Sequence, residues 1–350
     1  MTPDDPYGDV NRRKFMQYLA MLGVGGRVWL RSGEARAAAQ AARETAGGEV
    51  AWPKMSYRKL GRTGFDASRL VFGCGASLAL FRKDELLNAA YDAGINVFDV
   101  GYRGYYRDAE ENLAPFLRKV RDRVFLISKA PADLEAEPNQ SITAQQAKQA
   151  AASWGERLDA SLKELQVDRV DAYYLMASYS PSLIESEEVY RVFRKAKQAG
   201  KVTHLGLSTH RNAEKVLFTA AKTGWYDLAM IAITPGGWYD WENKSILEGS
   251  KPMTGLQPVL EKARESGMGL IGMKAARHLA GLPFVGWFSK PNAFDEYYDE
   301  KLLAASLSPF QRSYSYVLAH GLDVVNADMQ SLAHLKENVI AATTSPEDFA

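Results

Sequence analysis

The 350-residue chain is 46% hydrophobic and 24% charged, enough apolar material for a large core, with a formal net charge of +1. That balance, with no long basic run, argues against a charge-driven partner such as a nucleic-acid backbone or an anionic membrane surface. A single cysteine, Cys74, excludes an internal disulfide and a four-thiolate metal cluster, and no uninterrupted apolar run of about 18 residues is present to span a membrane.

Residues 1–50 lack the pattern of a folded unit. Asn11-Arg12-Arg13-Lys14-Phe15-Met16-Gln17 places paired arginines before Lys14, Phe15 and an apolar residue. A modestly apolar stretch follows over 18–26, interrupted after it by Arg27, and Ala35-Arg36-Ala37 gives a small-x-small pattern. Together these resemble a twin-arginine export signal with cleavage near residue 37 and a polar spacer behind it. The resemblance implies passage of an already folded protein through the twin-arginine translocase into the periplasm. The competing reading is an ordinary amphipathic helix with two basic residues.

From residue 57 short Val/Ile/Leu/Phe runs alternate with segments of helical period, the rhythm of βαβ units and a parallel sheet. Strands are predicted over 69–73, 96–99, 124–129, 171–176, 204–208, 228–233, 269–274 and 323–326. Helices are predicted over 83–93, 109–119, 143–165, 186–199, 213–223, 255–266, 309–319 and 332–342. Gly94, Gly200 and Gly267 each fall just past a helix end, where a left-handed cap is wanted. The strands are continuously apolar, as expected when both faces are covered. Eight such units close into a (β/α)8 barrel over about 56–345. An open doubly wound sheet is the alternative, but no G-x-G-x-x-G follows the first strand. Two long loops, 234–253 and 275–294, follow strand C-termini, where a barrel carries its site. Their aromatics, Trp287 and Phe288 among them, wall a substrate pocket or pack the rim.

Several motifs then occur in order. Tyr57-Arg58-Lys59-Leu60-Gly61-Arg62-Thr63-Gly64 leads to Ser68-Arg69-Leu70-Val71-Phe72-Gly73-Cys74-Gly75. Ala93-Gly94-Ile95-Asn96-Val97-Phe98-Asp99, Ala109-Glu110-Glu111-Asn112-Leu113, Leu205-Gly206-Leu207-Ser208 and His334-Leu335-Lys336-Glu337-Asn338 follow. The ordered set resembles the aldo-keto reductases from about residue 56 to 342. That family transfers hydride between a nicotinamide and a carbonyl, so the resemblance implies a small carbonyl, alcohol or sugar substrate and NADP or NAD as cofactor.

The chemistry needs a proton donor at the carbonyl oxygen. A free phenol has a pKa of about 10, and a neighbouring ammonium favours its phenolate. The positions that match the family are Asp99, Lys129 and, counting back from Glu110, Tyr106 as general acid. The stretch from Asp99 to Tyr106 is two residues longer than the family pattern, so Tyr102 and Tyr105 stay in contention. Asp99 and Lys129 are otherwise a structural ion pair in the barrel mouth. Met176 stands where the family's fourth strand ends in a hydrogen-bonding histidine, and a thioether cannot donate. Loss of such a donor costs about 2–4 kcal/mol in the transition state. His210 is the one substitute donor in view, or else a cap for the helix that follows.

The resemblance also implies cofactor contacts from Gly73, Cys74, Ser208, Thr209, Lys274, Gln330, Glu337 and Asn338. Thr209 replaces the family's Asn, Met230 and Ile233 replace its Gln and stacking aromatic, and Gln330 stands in place of an arginine. Gln cannot pair bidentately with a 2′-phosphate, which leans slightly away from a strong NADP preference. A non-catalytic barrel serving as a sensor or accessory protein is the second reading. A metal-dependent barrel hydrolase ranks last, since no His-x-His pair or clustered carboxylates stand at strand ends.

Overall fold

The computed structural model describes residues 52–134, 138–280 and 290–343. Residues 1–50, for which an export signal is expected, and Trp287 and Phe288 lie outside them.

A short antiparallel hairpin, β1 (Tyr57–Lys59) and β2 (Asp66–Ser68), opens the structure with Tyr57 opposite Ser68. There follow β3 (Leu70–Gly73), α1 (Cys74–Leu78), α2 (Asp84–Asp92), β4 (Val97–Asp99), α3 (Arg103–Tyr106), α4 (Ala109–Val120), β5 (Phe125–Ala130) and α5 (Ala144–Leu165). The second half runs β6 (Val170–Leu175), α6 (Pro181–Ile184), α7 (Glu187–Gln198), β7 (Val202–Thr209), α8 (Ala213–Thr223) and β8 (Leu228–Thr234). Then come β9 (Gly237–Asp240), β10 (Ser245–Ile246), α9 (Gln257–Glu265), β11 (Gly269–Met273), α10 (Glu300–Ala304), α11 (Pro309–Ala319), β12 (Val324–Asp328) and α12 (Leu332–Thr343).

Strands β3, β4, β5, β6, β7, β8, β11 and β12 pair in parallel, and β12 returns to β3, closing an eight-stranded (β/α)8 barrel. The helix starts are written in the sequence. Thr143 and Gln146 form a capping box on α5, and Ser308 and Gln311 form another on α11. Past the ends of α2, α7 and α9, Gly94, Gly200 and Gly267 take φ of 91°, 74° and 88°, the left-handed conformation predicted for them.

Side chains alternate across the sheet. On β5, Phe125 and Ile127 join the core inside the barrel, while Leu126 and Ala130 pack outward against helices. On β4, Val97 faces in and Phe98 out. The same alternation carries Asp99 and Lys129 to the inner face at the strands' C-terminal ends. The first hairpin plugs the opposite end: Leu60 and Ala67 join the inner core, and Arg62 bonds Asp227 at 2.5 Å.

The sequence pattern predicts a loop over 234–253. Instead β9 folds back on β8, with Ile233 opposite Trp238 and Thr234 opposite Gly237, and β10 pairs with β9. This puts Tyr239 into the inner core and Trp241 against it. Ile233 packs in the outer core, so its position offers no platform inside the barrel.

Candidate active site

At the C-terminal mouth the Lys129 ammonium donates to both Asp99 oxygens at 2.6 Å and to the Val100 carbonyl at 2.8 Å. Each residue is 4% exposed, so neither charge is tolerable without the other. A third partner went unread in the sequence: Asn326 on β12 donates its amide to Asp99 Oδ2 at 2.6 Å. Gly73 makes room for it, because a Cβ there would lie 2.6 Å from Asn326 Oδ1.

Tyr106 ends α3. This short helix is tied to β5 by the Tyr102 amide, which donates to the Lys129 carbonyl at 2.9 Å. Arg103 pins it to α4 and α5 through Asp108, Glu111 and Glu164 at 2.7, 3.1 and 3.5 Å. The Tyr106 ring centroid lies 5.2 Å from Lys129 Nζ. The ring stands in a slot between two glycines. A Cβ on Gly75 would overlap one edge, and one on Gly101 would come within 2.8 Å of the other. Tyr105 meets Tyr106 edge-on at 4.8 Å, whereas the Tyr102 ring lies under Arg157 at 4.9 Å. Of the rival tyrosines, Tyr106 is the one placed against the ammonium.

Met176 follows β6 and is buried, its amide donating to the Ala130 carbonyl at 2.9 Å. Beneath it Tyr174, on the inner face opposite Lys129, is fully buried, and its hydroxyl has no hydrogen-bond partner. Burial drives that phenol well above its usual range. Behind the strand, Ser128 donates to Glu110 at 2.6 Å, and burial raises the Glu110 carboxyl to about 7.

The predicted cofactor residues separate into groups. Ser208 falls on the inner face opposite Met230 and is buried. Thr209, one residue on, is fully buried and spends its hydroxyl on the Arg211 carbonyl at 2.5 Å. Cys74 is fully buried in the outer core, its thiol directed to the Phe72 carbonyl and raised by burial. A role for Cys74 in the mouth therefore falls to its main chain. Glu337 accepts from Ser308 at 2.5 Å, and Asn338 is buried on α12. Gln330 is clamped, donating to both Asp328 oxygens at 2.8 and 3.0 Å and accepting from Lys83 at 2.9 Å. Lys83 thus brings to this loop the cation that residue 330 does not supply.

A depression of about 360 Å³ lies here, lined by Arg82, Lys83, Gln330, Ser331 and Leu332 at the start of α12. The Lys83 ammonium beside a helix start suits a phosphate, although Asp84 and Glu85 share the lining and Ser331 Oγ already accepts the His334 N–H. On that count the residues fit the phosphate end of a dinucleotide. A larger depression, about 600 Å³ and lined by Arg58, Asp66 and Asp323, sits at the barrel's N-terminal end, away from this chemistry. Among the described residues no group of three or more His, Cys, Asp or Glu is placed to hold a metal ion.

Residues 80–240 match the model of the aldo/keto reductase family. That segment contains Asp99, Tyr106, Lys129, Met176, Ser208 and Thr209. The chain also resembles a Pseudomonas aeruginosa protein assigned as an aldo-keto reductase, at 22% identity over 82% of this chain and 94% of that one, with a TM-score of 0.56. It resembles the holo form of a Bacillus halodurans aldo-keto reductase at 21% identity over 83% of this chain and 92% of that one, with a TM-score of 0.59. These structural likenesses carry the barrel fold beyond the family segment. No curated protein matches the chain.

Proposed function

We propose that this chain is a nicotinamide-dependent oxidoreductase of aldo-keto reductase type, acting on a small carbonyl, alcohol or sugar. The observation that carries the reading is the buried Asp99–Lys129 pair with the Tyr106 ring 5.2 Å from the ammonium. When bound, the nicotinamide supplies or accepts the hydride. Tyr106 gives its phenolic proton to the carbonyl oxygen in reduction and recovers it in oxidation. Lys129 stabilises the phenolate left behind. Asp99 holds Lys129 charged and in place, and the Asn326 amide orients Asp99. Lys83 and the start of α12 receive the phosphate end of NAD or NADP. The carboxylates of Asp84 and Asp328 beside Gln330 favour NAD, because a 2′-phosphate would meet negative charge.

The twin-arginine pattern at Arg12-Arg13 supports export of the folded protein by the twin-arginine translocase into the periplasm. Fractionation of cells carrying the wild type and an Arg12→Lys, Arg13→Lys variant tests this: retention of the variant is expected, and equal export would refute it.

Met176 favours a second reading. A mouth without the family's donor suits a barrel that binds a nicotinamide or another ligand as a sensor or accessory protein. The test is nicotinamide absorbance across a carbonyl panel with NADH and NADPH. Substrate-dependent oxidation that disappears in Tyr106→Phe supports the enzyme, whereas cofactor binding without turnover supports the sensor.

A further inference from the structure

We propose that Glu110, Ser161, Tyr173 and Glu164 share one buried water behind the barrel wall, and that this bridge makes the seating of the Tyr106 helix sensitive to pH. The bridge stands whatever the mouth binds; only its effect on rate rests on the oxidoreductase reading.

Four elements meet on the outer side of the wall that carries Lys129. Glu110 comes from the first turn of α4, Ser161 and Glu164 from the end of α5, Ser128 from β5 and Tyr173 from β6. Glu110 and Tyr173 are fully buried, and Ser161 is 1% exposed. The Ser128 hydroxyl donates to Glu110 Oε1. Glu110 Oε2, Ser161 Oγ, Tyr173 Oη and Glu164 Oε2 are buried with no hydrogen-bond partner. They nevertheless converge: Ser161 faces both Glu110 and Tyr173, and the Glu164 charge bears on Glu110. Orphaned polar atoms are costly to bury, and four in one place call for a common partner. One water meets them all, since it offers two donors and two acceptors and each hydroxyl can turn either way. Lys129 bears on Glu110 and Arg103 on Glu164, so positive charge is already supplied and a neutral bridge suffices.

Burial raises the Glu110 carboxyl to about 7, with Glu164 pushing the same way and Ser128, Ser161 and Lys129 opposing. Burial also raises the Tyr173 phenol, against Ser161 and Arg157, so it stays a neutral donor. Below about pH 7 Glu110 is neutral, and Glu164 alone presents a charge to the water. As pH rises through that value a second carboxylate forms beside the first, away from bulk solvent. Glu164, with 19% of its side chain exposed, is the one able to yield. Its other oxygen, Oε1, lies 3.5 Å from Arg103, which also pairs with Asp108 and Glu111. Arg103 opens α3 and Tyr106 closes it. Repulsion at the water therefore acts on the helix that presents the acid.

The bridge is tested by a crystal structure of the full chain at pH 6. A water at about 3 Å from all four oxygens is expected. No water there, or direct hydrogen bonds among the four groups, would overturn the bridge. Tyr173→Phe should then destabilise the fold; an equally or more stable variant would show a hydroxyl that was never held. The link to α3 is read by hydrogen exchange at the Tyr105, Tyr106 and Arg107 amides, which donate to the Tyr102 and Arg103 carbonyls. Their protection factors should fall about tenfold from pH 6 to pH 8 in the wild type, the size of one pKa unit of coupling. They should hold steady in Glu110→Gln, while α8 amides are unaffected in both. Equal protection at the two pH values, or a loss that persists in Glu110→Gln, would overturn the link. Once a substrate is found, kcat should fall through pH 7 in the wild type and not in Glu110→Gln. Absence of turnover on every carbonyl would sink the oxidoreductase reading and leave the exchange result to decide this one.

Discussion

The slot around Tyr106 gives the sharpest mutational test of the acid assignment. Carbon atoms rest at about 3.5–4.0 Å. A methyl on Gly101 would lie 2.8 Å from the Tyr106 ring, short by roughly 0.7–1.2 Å, and one on Gly75 would overlap the ring outright. Gly75 lies in α1, where alanine should by itself add about 0.5–1 kcal/mol of stability. Gly75→Ala therefore displaces the ring by about 1 Å without a local penalty on the helix. A misplacement of that size costs about a hundredfold in rate. The control is Gly104→Ala, whose methyl would press on the hydroxyl end of Tyr102 instead. The assay is kcat on the best carbonyl found, with thermal melting to confirm the fold. A Gly75→Ala enzyme at wild-type kcat, or a larger loss in Gly104→Ala, would refute Tyr106 as the acid.

Three further outcomes follow from the same geometry. Asn326→Leu removes an N–H donor from a buried carboxylate, so it should cost about 1.5–3 kcal/mol in denaturant unfolding and shift the pH–rate profile; an unchanged profile would confine Asn326 to a structural role. Glu110 titrates at about 7 in the fold against 4.5 when free, so the native state binds the extra proton between those values. Stability should fall by about 3 kcal/mol as pH rises from about 4.5 through 7, and Glu110→Gln should melt higher than wild type at pH 8 but equally at pH 4. Met176→His restores a donor beside the carbonyl and should raise kcat by about tenfold or more; no gain would place the donor elsewhere, with His210 the first residue to examine.

The barrel was legible because each βα unit repeats the same two periods, and glycines mark the helix ends. The Asp99–Lys129 pair was legible because both stand at strand C-termini, at positions that match the aldo-keto reductase pattern; their inward turn, two residues past Val97 and Ile127, came only with the structure. Asn326 was not. It reads as one polar residue near a strand end, and its partner lies 227 positions away. The β9–β10 hairpin was missed because Gly236-Gly237 among aromatics looks like a loop until β8 is there to pair with. Thr209 and Ile233 were assigned by motif position, whereas alternation from Ser208 and Ala232 turns them to the other face. Gln330 suggested a missing cation, but Lys83, far off in the chain, fills that place.

The most direct measurement is titration of the full chain with NADH and NADPH, followed by nicotinamide fluorescence. Saturable binding of at least one is expected, with NADH at least as tight as NADPH because the Asp84, Glu85 and Asp328 carboxylates stand where a 2′-phosphate would sit. Absence of binding by both would contradict the nicotinamide reading and leave the Asp99–Lys129–Tyr106 assembly to be explained by another ligand.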